Sequence, residues 1–184
     1  MSLFTARFAQ TVAVMAILIM NSVPAAQANS QLDGLWRGEL EIQQGISIVL
    51  GLNIKAGKLS LDSPNQGLWS HPVSESSLNE HQVDFTAKDL QATFTGEVKG
   101  EQIIGTFTQG KSRPLTLTRL NADDLQRLAY EGRYAGELII NGETTLPLQV
   151  NVAVVASDYV ATLDSPAQQS LVFHYQNLQL TTPP

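Results

Sequence analysis

Apolar and polar residues alternate along most of the chain, and glycine interrupts the alternation about every ten residues. Ile46, Ile48, Leu50, Leu52 and Ile54 share one parity, with Ser47, Gly51, Asn53 and Lys55 on the other. Period two is the signature of a strand with one buried face. The same pattern runs through Trp36, Gly38, Leu40 and Ile42, through Leu59 and Leu61, and through Val83 and Phe85. It continues in Leu90, Ala92, Phe94, Gly96 and Val98, then in Ile103, Gly105 and Phe107, and closes with Leu115 and Leu117. Between the runs lie Gln44-Gly45, Ala56-Gly57, Lys99-Gly100 and Gly110-Lys111, which suit hairpin turns. The pattern predicts an all-β unit over residues 29–120. Its expected form is a small antiparallel up-and-down barrel of about eight strands, closed so that no edge is exposed. The expected interior is Trp36, Leu40, Ile42, Ile48, Leu50, Leu52, Ile54, Leu59, Leu61, Val83, Phe85, Phe94, Ile103, Phe107, Leu115 and Leu117. None of these is ionisable, and a small barrel is just filled by such side chains.

Residues 121–131 break the alternation. Asn121 is a good N-cap, Asp123 and Asp124 fall in the first turn, and Gly132 follows as a stop, which predicts a short helical linker. Beyond it the first unit returns. Gly34, Gly38, Glu39, Leu40, Ile42, Leu50 and Asn53 recur as Gly132, Gly136, Glu137, Leu138, Ile140, Leu148 and Asn151, at an offset of 98. Asp62, Ser63 and Pro64 recur as Asp164, Ser165 and Pro166, at an offset of 102, and Tyr134 answers Trp36. The slip of four is expected in a longer connection near Ala156 to Asp158, and an even insertion keeps every side chain on its face. Residues 132–184 are therefore expected to form a partial second β repeat, its fourth strand within 170–180. Leu138, Ile140, Leu146, Leu148, Val150, Val152 and Leu163 form an apolar face that the partial repeat does not cover itself. Such a face predicts a homodimer through residues 132–184 sharing one barrel, with folding back onto the first unit as the alternative.

Residues 1–28 read as a signal peptide. Arg7 precedes an apolar run from 12 to 20, and Ala26-Gln27-Ala28 offers the small-x-small pattern of a cleavage site. The run is too short to span a bilayer core of roughly 30 Å, so no stable membrane span is expected after cleavage. The expected location is periplasmic or secreted. With no cysteine in the chain, disulfides, thiolate metal sites and cysteine nucleophiles are excluded. A net charge of −6 argues against nucleic acid as a partner.

Gly34-Leu35-Trp36 resembles the G-x-W signature of the lipocalin and calycin superfamily. That resemblance implies that an arginine on the last strand packs across the tryptophan, and Arg119 lies on the inward parity of Leu115 and Leu117. Gly34, Trp36 and Arg119 are then the residues expected at the barrel's closed end. Residues 34–119 are also similar to the small N-terminal β-domain of some secreted bacterial α/β hydrolases. The similarity lies in Trp36-x-Gly38-x-Leu40, Asp62-Ser63-Pro64-x-Gln66-Gly67, Ile104-Gly105-Thr106-Phe107-x-Gln109-Gly110 and Pro114-Leu115-x-Leu117-x-Arg119. No G-x-S-x-G occurs in the sequence, so this resemblance implies an accessory or binding module and assigns no catalytic residue.

The Asp-Ser-Pro triplets read as turns, not as nucleophile sites, although His71 and His174 follow within nine residues. Glu80, His81 and Asp84, with His71, lie in a segment expected to be a polar loop, without the tight spacing of a metal site. No cofactor or metal is expected. Trp69 and His71 are the candidate ligand-binding residues. The leading expectation is an exported, non-catalytic binding or interaction module, whose partner is a protein, an envelope component or a lipid. The alternatives are a lipocalin-like carrier of a hydrophobic ligand and an accessory domain of a secreted hydrolase system. Export is checked by N-terminal sequencing: the mature chain is expected to begin at Asn29, and an intact Met1 recovered in a membrane fraction would contradict it.

Overall fold

The computed structural model describes residues 30–140, 142, 144–165 and 173–175. The leader lies outside the described residues. Nine strands form the first sheet: β1 Gly34–Gln43, β2 Ile46–Lys55, β3 Lys58–Ser63, β4 Leu68–Pro72, β5 Glu75–Asn79, β6 Gln82–Ala87, β7 Ala92–Lys99, β8 Gln102–Gln109 and β9 Lys111–Arg119. Their order is β4-β3-β2-β1-β9-β8-β7-β6-β5, and every pairing is antiparallel. The sheet is curled. Its two outer strands, β4 and β5, follow each other in the chain, yet no ladder joins them among the described residues.

The ninth strand comes from the segment expected to be a polar loop. Residues 68–79 form β4 and β5 instead, with mostly exposed side chains. Main-chain pairing decides these strands, so they carry little of the alternation that marks a strand in sequence. The expected interior residues are buried together, with the exception of Ile42, which is 37% exposed near the β1–β2 turn. Leu32, Ala87 and Ala92 join them. Trp36 is fully buried, and its Nε1 donates to the Leu32 carbonyl at 2.9 Å.

Arg119 closes over this tryptophan. Its guanidinium carbon lies 4.2 Å from the Trp36 ring centroid, within cation–π range. Its nitrogens donate to the carbonyls of Asp33 and Gln31, and Nε lies 2.6 Å from the Glu101 carboxylate. Gly34 makes room, since a Cβ there would meet Arg119 Nη1 at 3.3 Å.

The helix α1, Ala122–Arg127, forms as expected, with a capping box between Asn121 and Asp124. A second sheet follows, of β10 Gly132–Ile140, β11 Thr144–Val155, β12 Asp158–Asp164 and β13 Phe173–Tyr175, in that order. Some of its ladder pairs fall at the same sequence offsets as pairs in the first sheet. Trp36 faces Leu52 and Tyr134 faces Val150; Leu52 faces Leu61 and Val150 faces Leu163; Leu61 faces His71 and Leu163 faces Phe173.

The slip of four is placed differently from the expectation. Both turns have two residues, Ala56-Gly57 and Ala156-Ser157. The added residues lengthen the hairpin instead, as the pairs Val154–Tyr159 and Val155–Asp158. Lys55 and Lys58, at the tip of the first hairpin, correspond to Ala153 and Val160 in the second. Those apolar residues, with Val155, pack against Val49 on the outer face of β2.

Gly38 marks where β1 and β9 come closest. A Cβ at Gly38 would overlap the Thr116 carbonyl and press on Leu115. Gly38→Ala is therefore expected to cost about 3 kcal/mol, the upper range for overpacking, read as a lower midpoint in urea denaturation.

Candidate functional site

Two regions outside the core of the curled first sheet stand out: a polar joint between the sheets and an open apolar face. The joint begins with Arg37. As the neighbour of Trp36 on a strand it points outward, yet it is only 3% exposed. Its Nη1 donates to Asp62 Oδ2 at 2.7 Å, and Nη2 lies 3.6 Å from Glu131 Oε1. Gly51 leaves the space for the guanidinium, because a Cβ there would overlap Arg37 Nη1. Asp62 also accepts from the Ser70 backbone N–H at 2.6 Å. Glu131 accepts from the Val154 N–H at 2.9 Å and from Trp69 Nε1 at 3.3 Å.

Asn65 completes the joint from the helical turn Pro64–Gln66. Its Oδ1 accepts from the Val49 N–H at 2.8 Å, and its Nδ2 donates to the carbonyls of Asn151 and Val160. Asn151 is buried and spends its amide on Arg133, Gln149, Thr162 and Asp164. One amide thus ties a strand of the first sheet to the hairpin of the second.

The Asp-Ser-Pro segment is a turn, as expected, and Ser63 Oγ donates to Gln66 Oε1 at 2.8 Å. Asp62 has a larger role in the joint than a turn requires. In the second repeat Asp164 accepts from Asn151 Nδ2 at 2.7 Å and Ser165 is buried; Pro166 lies outside the described residues. Trp69 and His71 do not converge. Trp69, 45% exposed, meets Glu131, while His71 Nε2 lies 2.8 Å from Asp89 Oδ2. Among the described residues no three His, Asp or Glu side chains are grouped to hold a metal ion. Arg37, Asn65, Glu131 and Val49 carry the joint, and sequence reasoning missed all four. The recurrence of Asp62 as Asp164 in the sequence was the available signal, since both carboxylates accept hydrogen bonds between neighbouring segments.

The open face lies on β10 and the adjacent half of β11. Tyr134 is 48% exposed, Leu138 49% and Ile140 37%, and on the other face Ile139 is 67% exposed. Leu146, Leu148 and Val150 beside them are exposed only in part. Toward the hairpin tip, where β11 meets α1 and the turn after it, Val152, Val154 and Ala161 are buried. Burial pushes the Tyr159 phenol above its ordinary pKa; Arg127 opposes the shift, while Tyr130 and Tyr134 add to it. Tyr130 is itself 40% exposed, and its carbonyl accepts from the Tyr134 hydroxyl at 2.8 Å.

The fold and the joint define an all-β protein in which a curled antiparallel sheet carries a smaller sheet on its outer wall. Comparison with protein-family models, with curated proteins and with solved structures finds no match.

Arg37→Met is expected to destabilise the protein by about 3–5 kcal/mol, because Asp62 and Glu131 would stay buried without their cation. Adding Asp62→Leu should recover part of that loss. Urea denaturation of the two variants reads both effects.

Proposed function

We propose that the chain is an exported, non-catalytic β-protein that works by binding, with the second sheet as its contact surface. The observation that carries this reading is β10: a nine-residue outer strand, exposed along almost its whole length, with Tyr134, Leu138, Ile139 and Ile140 open to solvent. An edge that is long and apolar is a template for another chain, and folded proteins usually cover or charge such edges. Aromatic residues with a polar tip, such as Tyr130 and Tyr134, suit an interface that is partly wet.

The repeated register supports reading the second sheet as a partial copy of the first unit. In the complete unit, the edge of β1 that corresponds to the open edge of β10 is occupied by β9. The curled sheet supports reading that unit as an up-and-down barrel with a seam between β4 and β5. A binding role also fits the packed interior. A carrier of a hydrophobic ligand would have to displace Trp36, Phe94, Ile103 and Leu117, each at most 1% exposed. The partner on this reading is another protein, an envelope component or a second copy of the chain.

The test is Leu138→Ser with Ile140→Ser. Both side chains are exposed in the free protein, so stability should change by less than about 0.5 kcal/mol. Association, followed by light scattering of the mature protein and by co-purification from periplasm, should weaken at least tenfold. Unchanged association would reject the second sheet as the contact surface.

A further inference from the structure

We infer that the open edge of β10 is filled by residues 177–182 of a second copy of this chain. The inference rests on the second sheet being a contact surface, and it names the strand that pairs there. The first observation is Gly136. Its counterpart Gly38 must be glycine, because β9 runs so close that a Cβ would overlap the Thr116 carbonyl. At Gly136 nothing lies within 4 Å of the Cβ position, and its φ is not positive. A mid-strand glycine without a crowding neighbour weakens the strand by about 0.5–1 kcal/mol relative to alanine. The residue is accounted for once a strand crosses β10 as β9 crosses β1.

The second observation is in the sequence. β9 reads Leu115-Thr116-Leu117-Thr118-Arg119, and residues 178–182 read Leu178-Gln179-Leu180-Thr181-Thr182. Both leucines and the following threonine recur, so the tail carries the same apolar alternation in its sequence. With the register of the first unit, in which Trp36 faces Arg119 and Arg37 faces Thr118, Tyr134 faces Thr182 and Ala135 faces Thr181.

The third observation is reach. β13 ends at Tyr175 on the far edge of the second sheet from β10. Four strand spacings separate β13 from a strand added beyond β10, about 19 Å at the usual sheet spacing. The link from Tyr175 to Leu178 spans about 10 Å at full extension. A second copy has no such limit, and reciprocal exchange gives a closed twofold dimer in which each tail covers the partner's apolar edge.

The chain's lack of cysteine makes the test clean. Mature protein carrying Ala135→Cys is mixed with mature protein carrying Thr181→Cys under mild oxidation. A disulfide-linked heterodimer on a non-reducing gel is expected, since directly opposed residues in a ladder lie within disulfide reach. Light scattering should show a dimer for the unmodified mature protein and a monomer when residues 177–184 are deleted. Gly136→Val should lower the apparent affinity by at least tenfold while the far-ultraviolet circular dichroism spectrum stays that of a folded β-protein. A mature protein that is monomeric at high micromolar concentration overturns the inference. So does a dimer that survives the deletion, or a Gly136→Val variant with a higher Tm and unchanged association. If the deletion leaves the dimer intact but Leu138→Ser with Ile140→Ser dissolves it, the second sheet remains the contact surface and only the exchanged strand is rejected.

Discussion

The ion pair between Arg37 and Asp62 sets the terms for the rest of the molecule. On the outer wall of a free-standing sheet it would lie in water and contribute little. Here both side chains are nearly inaccessible, so the guanidinium must be answered by charge and hydrogen bonds on every side it loses water. Asp62 answers from β3, across Gly51 of the intervening strand β2, Glu131 answers from the linker, and the absent side chain of Gly51 leaves the volume. The wall formed by β1, β2 and β3 is consequently an internal partition. The core enclosed by the curled first sheet lies on one side and the second hairpin on the other.

That partition explains why the two sheets' hairpins play different roles. The first hairpin ends in Lys55 and Lys58, a tip suited to water. The second is longer by two ladder pairs and bears Ala153 and Val160 at the equivalent positions, so its tip packs against Val49. Asn65 locks the contact by bonding main-chain groups of both sheets. At the sequence offset of 102 the residue corresponding to Asn65 is Ala167, which carries no side-chain amide.

Packing the hairpin tip does not cover the whole second sheet. Its two faces diverge: the parity of Asn151, Ala153 and Val155 turns toward the first unit, while that of Tyr134, Leu138 and Ile140 reaches solvent along β10. The residues that pack on the first sheet, Ala153, Val155 and Val160, thus lie on the opposite face from the apolar face of Leu138 and Ile140.

Alternation was enough to determine the strands with one buried face and the interior residues from Trp36 to Leu117, and local capping signals the helix after Asn121. These features are local or periodic, and their physical cause is written in adjacent residues. Arg119 over Trp36 was legible for the same reason, since inward parity at both chain ends places them on one side of the sheet. The strands β4 and β5 were not legible, because main-chain pairing without a buried face leaves no hydrophobic period. Nor was the joint, in which Arg37, Val49, the Asp62–Asn65 segment and Glu131 come from four separate places in the chain. A charged residue beside a buried tryptophan reads as a solvent-facing side chain until something covers it. What covers it is a hairpin more than a hundred residues away, and only the tertiary structure could decide that.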